Sequence, residues 1–205
     1  MFGLTSRELR TLRALTTPAR IQDFLDAIPI NFERDGETCL SPRRVLRERK
    51  VHCMEGAMLA ALALRLQGRK PWVMDLRTTD KADDDHVIAV FRDAGCYGAI
   101  SKTNHGTVRF RDPIYRTLRE LAISYFHEYT DPRGRKILRS YSLLVDLSRF
   151  DAKGWMTAEE DVWYVPDALE HARHYPLLGR KQIATLRRAD AMERKIGAIL
   201  EYPPS

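Results

Sequence analysis

The stretch Lys50-Val-His-Cys-Met-Glu-Gly-Ala-Met-Leu-Ala-Ala-Leu-Ala-Leu-Arg-Leu-Gln-Gly68 decides the reading of this chain, because it sets one cysteine at the threshold of a helix that is apolar almost all round. The Ala- and Leu-rich turns over 54–66 have the composition of a buried helix, and Gly68 stands just past its end, where a left-handed residue closes the last turn. A thiol at a helix start faces unpaired N–H groups and the positive end of the dipole, which favour the reactive thiolate. The same N–H groups suit a developing oxyanion. Cys53 is therefore a candidate nucleophile, set against the plainer reading of a thiol that only packs.

Working outward, 70–77 reads as a strand and His86-Val-Ile-Ala-Val-Phe91 as a second strand that opens on a histidine. Arg92-Asp-Ala-Gly95 supplies a hairpin turn into a third strand, Cys96-Tyr-Gly-Ala-Ile-Ser101. Alternation in Thr107-Val-Arg-Phe-Arg-Asp112 predicts a further strand with Val108 and Phe110 on one face. Thr5-Ser-Arg-Glu8 opens a first helix, Thr17-Pro18 a second that ends before Pro29, and Ser41-Pro42 a third through about Glu48. Residues 115–129 read as an amphipathic helix with Leu118, Leu121, Ala122 and Tyr125 as its stripe, and 141–147 as strand or extended chain. Thr157-Ala-Glu-Glu160 carries a capping-box signature, and 182–200 reads as one terminal helix. These elements predict an α+β fold, with the helix from Cys53 on an antiparallel sheet of segments near 71–77, 86–92, 96–101 and 107–111. One domain is expected over 1–205, with a core at about 40–130, N-terminal helices at 5–28 and a C-terminal helical extension at 150–205.

Over about residues 40 to 105 this order resembles the transglutaminase-like branch of the papain-like cysteine hydrolases. Cys53 with Ala57 and the Leu-rich helix is similar to that family's Cys-helix, Gly68-Arg-Lys-Pro-Trp-Val73 to its link into the next strand, and His86 to its His-strand. The resemblance implies a papain-like core and a thioester formed with an amide or peptide carbonyl, then passed to water or an amine. Cys53 would be nucleophile and His86 acid/base. Where the family shows Trp and later Asp-Pro-Thr, this chain has Tyr97 and Ser101. An aspartate both orients the imidazole and stabilises its cation, whereas a serine only orients it. Asn104 supplies a neutral amide for the same place, and Asp112 would do so if its loop folds back. The serine also keeps open a second reading, a catalytically inactive transglutaminase-like binding module.

Composition narrows the rest. Among 205 residues, Cys39, Cys53 and Cys96 are the only cysteines and show no CxxC spacing, so neither a disulfide framework nor a zinc knuckle is indicated. A reducing, cytoplasmic setting is expected, with no secretory segment and no apolar run of bilayer-spanning length. The net charge of +6 comes from 34 basic residues interleaved with 28 acidic ones, without a nucleic-acid motif. The expected partner is a peptide, protein or small amide substrate, not a specific nucleic acid or a membrane. Arg47, Arg49 and Lys50 form a basic rim that would lower the Cys53 pKa or attract an acidic substrate. His171 and His174 lack a companion to complete a metal site, and Asp84 and His86, which face the same way in an extended segment, are explained as well by a polar turn before a strand, so no metal and no cofactor are expected. Trp155, Trp163 and Tyr164 read as packing.

Overall fold

The structure is a computed structural model that describes residues 1–79 and 85–202, so Asp83 and Asp84 of the acidic run before His86 lie outside the described residues. Four N-terminal helices are set by local signals. Thr5 caps α1 (Ser6–Ala14) in a reciprocal box with Glu8, and Thr17 caps α2 (Pro18–Asp26), which begins on proline. Ser41 caps α3 (Pro42–Glu48), again with proline first, and α4 (Cys53–Leu66) opens on the cysteine itself. Gly68 follows α4 at φ +82, the left-handed closure its position predicts.

The strands are β1 (Trp72–Thr78), β2 (His86–Asp93), β3 (Cys96–Ile100), β4 (Arg111–Tyr115), β5 (Leu138–Ser142), β6 (Val145–Asp146) and β7 (His174–Pro176). Among the described residues they form one sheet in the order β4-β3-β2-β1-β5-β7, with β6 also on β1, and every pairing is antiparallel. The β2–β3 connection is a two-residue turn in which Ala94 and Gly95 both take positive φ, the geometry a twisted hairpin favours. Both faces of the sheet are covered. Val73, Val87, Ala89 and Phe91 pack against α4 and its neighbouring helices, while the alternate residues Met74, Ile88 and Val90 pack against Leu121, Ala122 and Tyr125. The chain is thus α+β, with the helix from Cys53 on an antiparallel sheet as expected.

Four local expectations are corrected. The strand placed at 107–112 begins at Arg111 instead, because Val108 sits at φ +60 and bonds away from the sheet, through its N–H to Glu128 Oε2 at 2.6 Å. Val108 and Phe110 therefore share no strand face. The helix expected at 115–129 is shorter: α5 (Leu118–Ser124) starts at its Thr117 cap and gives way to a 3-10 turn, Phe126–Glu128. No helix starts at Thr157, where residues 154–157 form turns, and α6 (Tyr164–Glu170) begins later. The terminal helix is two, α7 (Arg180–Ala184) and α8 (Ala191–Gly197), because Asp190 turns its carboxylate onto the Met192 and Glu193 N–H groups and caps a new start. Trp155 is fully buried, whereas Trp163 is exposed.

Candidate active site

Cys53, the first residue of α4, opens onto a cleft of about 630 Å³ whose wall includes His52, His86, Lys102, Tyr129 and Arg194. His86 is the first residue of β2, and the chain returns through β3 to Ser101, one residue past its end. His86 Nε2 lies 2.7 Å from Ser101 Oγ, and that hydroxyl donates its single proton to Val108 O at 2.5 Å. Ser101 must then accept from the imidazole, so the hydrogen-bond network assigns the proton to Nε2. Nδ1 is left to act as base when the ring is neutral and as acid when it is charged.

Ser101 is itself clamped from a distance. Gln22 of α2 donates to Ser101 O at 2.8 Å and accepts from Ser101 N at 2.9 Å, a bidentate hold between buried groups. Gly56, one turn into α4, lets residue 102 approach: a Cβ there would stand 2.6 Å from Lys102 Cβ. Lys102 is buried with its ammonium 2.6 Å from Ile28 O, and that burial pushes its pKa down.

The other two residues weighed for the third place lie elsewhere. Asn104 spends its amide on the C-terminal tail, donating to Tyr202 O at 2.8 Å and accepting from Tyr202 N at 2.9 Å. Asp112 is exposed on β4.

The structure adds a second imidazole. His52 caps α4 beside Cys53, and its Nε2 lies 3.0 Å from Thr38 O and 3.2 Å from Glu55 Oε1. Glu55, fully buried, also accepts from His52 N at 2.9 Å, Thr38 Oγ1 at 2.9 Å and Leu40 N at 3.0 Å. Burial alone would raise the Glu55 pKa, but the His52 bond and the backbone donors outweigh it and hold the carboxyl below its ordinary range. Burial would likewise neutralise His52, yet its bonds to Cys53 and Glu55 push it up to about 11. Desolvation opposes the Cys53 thiolate, and hydrogen bonds from His52 and His86 overcome it, lowering the thiol to about 5. Cys39, buried without such partners, is pushed up to about 12.

The basic rim plays no visible part in this. Arg47 pairs with Glu159 at 2.7 Å and Arg49 lies over the Phe24 ring, while the two histidines lower the thiol. His171 ends α6 on Asp167 O, and His174 on β7 bonds Asp75 at 2.9 Å, so the two do not converge.

His52 and Glu55 were legible as neighbours of Cys53, since a glutamate three residues after a cap is a known helix-start pattern. Gln22 and Tyr129 carried no such signal. Such a constellation generates a thiolate at neutral pH beside an imidazole free to move protons. A scan against protein-family models returns no match for this chain, and a search of curated proteins returns none either.

Proposed function

We propose that the protein is a cysteine enzyme of the transglutaminase-like kind that acts on an amide or peptide carbonyl through a thioester. The observation that carries this is geometric: Cys53 opens α4 on a cleft that it lines together with His86, whose Nε2 lies 2.7 Å from Ser101 Oγ, and the flanking imidazoles of His52 and His86 favour the thiolate. The order of Cys on the helix, His on β2 and a hydroxyl just past β3 supports the family resemblance.

In the first half-reaction the Cys53 sulfur adds to the carbonyl carbon and the π pair moves to oxygen. When that pair returns, the C–N bond breaks and the leaving nitrogen takes the Nδ1 proton of His86. In the second, neutral His86 removes a proton from water or an amine as it adds to the thioester. Collapse then expels the thiolate. His52, paired with Glu55, stays cationic throughout and stabilises the sulfur anion without exchanging its proton.

Incubation with p-nitrophenyl acetate tests this reading. The expected result is a burst of nitrophenolate with acetate on Cys53 by mass spectrometry, Cys39 and Cys96 serving as internal controls. No burst, together with alkylation of Cys53 that follows an ordinary alkaline titration, would reject the enzyme and leave a binding module on the same fold.

A further inference from the structure

Tyr129 follows the 3-10 turn Phe126–Glu128 and lines the cleft that holds Cys53 and His86. Its ring is packed into the cluster with Leu121, Tyr125 and Ile137, leaving the residue 7% exposed. Its hydroxyl is buried and has no hydrogen-bond partner among the described residues. The comparison with Tyr125 is direct, since that phenol is equally enclosed and donates to Arg109 O at 3.1 Å. Native folds pair nearly all buried hydroxyls, so an orphan at the wall of a reactive cleft points to a group that arrives with a ligand. Burial and the neighbouring Cys53 thiolate both push the Tyr129 phenol well above its ordinary value, which keeps its O–H intact as a donor.

We infer that Tyr129 is the oxyanion donor of this site, hydrogen-bonding through its O–H to the carbonyl oxygen of the acyl group that Cys53 attacks. The inference rests on the thioester reading of Cys53 and assigns the carbonyl oxygen of its amide or peptide substrate a partner, the phenol; an ester such as p-nitrophenyl acetate presents the same oxygen and serves as a probe. Tyr129 joins the first-turn N–H groups of α4, which a helix start leaves without a carbonyl one turn back. As the S–C bond forms, the C=O pair moves onto oxygen and the phenol donates to it while keeping its own proton. When the pair returns to carbon, the leaving atom departs with the His86 proton and the phenol contact relaxes.

Tyr129→Phe in the full chain separates this role from packing, because it deletes only an oxygen that nothing else uses. Three readouts are needed. Iodoacetamide alkylates Cys53 by displacement, without an oxyanion, and its rate should stay within about twofold of wild type if the contact is to the carbonyl oxygen. Acylation by p-nitrophenyl acetate should slow by about 10²–10³-fold, the usual loss for one oxyanion donor. The thermal midpoint should hold or rise, since an unpaired buried hydroxyl is removed. Acylation at the wild-type rate overturns the assignment while leaving the thioester reading intact. Equal loss of alkylation and acylation also overturns it, placing the phenol on the sulfur instead. A wild-type protein that alkylates at acid pH but never acylates overturns both.

Discussion

A thiolate held between two imidazoles titrates differently from one held by a single partner, and at the scale of residues this separates His52 from His86. The sulfur loses its anion as pH falls through its pKa, so iodoacetamide labelling of wild-type Cys53 should decline with a midpoint near 5. Removing a neighbouring cation raises a thiol pKa. His52→Ala and His86→Ala should each move the midpoint up part of the way, and only the double variant should reach or pass the roughly 8.5 of an ordinary thiol, because the burial that opposes the anion remains. A midpoint in His86→Ala equal to the double variant's would mean that His52 contributes nothing to the thiolate. Ser101 acts one contact further out and carries no charge. Ser101→Ala should therefore leave the acid-side labelling largely in place while turnover of the acyl probe falls by about 10²-fold, the lower range for a positioned acid or base. Labelling and turnover falling together would show that the serine supports the sulfur rather than the ring.

At the scale of elements, Gly56 sets how closely α4 meets the segment after β3. Alanine is the better helix former by about 1 kcal/mol, yet its methyl would stand 2.6 Å from Lys102 Cβ, backed by a side chain buried to its tip. The clash should win. Gly56→Ala is expected to lower stability by about 1–3 kcal/mol in urea denaturation and to slow acylation by displacing Ser101, whereas a gain in stability would show that the helix shifts freely. The same contrast between local and distant causes explains what the sequence shows and hides. Caps at Thr5, Thr17 and Ser41 and the start of α4 at Cys53 depend on a few neighbouring residues, and they were readable. The loop after β3 depends on partners far along the chain. Gln22 holds the Ser101 backbone, Glu128 turns the Val108 N–H away from a strand, and Tyr202 takes the Asn104 amide, so neither the start of the strand predicted at 107–112 nor the choice between Ser101 and Asn104 lay in local pattern. The break before α8 was written locally, in the Asp190–Glu193 box, but the basic run of 187–188 reads equally well as helix interior.

At the scale of the whole molecule, the C-terminal segment runs over the cleft and is fastened to its rim rather than to the core. Ala189 N bonds Gly134 O at 2.8 Å, Gly106 N bonds Ile199 O at 2.8 Å, and Arg109 pairs with Glu201 at 2.8 Å. Arg194, Gly197 and Ala198 line the cleft itself, while α8 contributes no buried residue and leaves Met192 and Ile196 exposed. A strap that buries so little apolar surface contributes little to global stability, and its removal acts mainly on access. A chain ending after Arg188 should stay folded, with the thermal midpoint lowered by several degrees for the lost rim bonds. Its acylation by p-nitrophenyl acetate should remain close to wild type, because Cys53, His86, Ser101 and Tyr129 are untouched. Esters with longer acyl chains should gain rate relative to acetate, since the wall formed by α8 is gone. An unchanged ratio of long-chain to acetyl rates in a folded truncated protein would mean that the cleft's selectivity is set by the sheet and α4 alone, and that the C-terminal segment is only a strap.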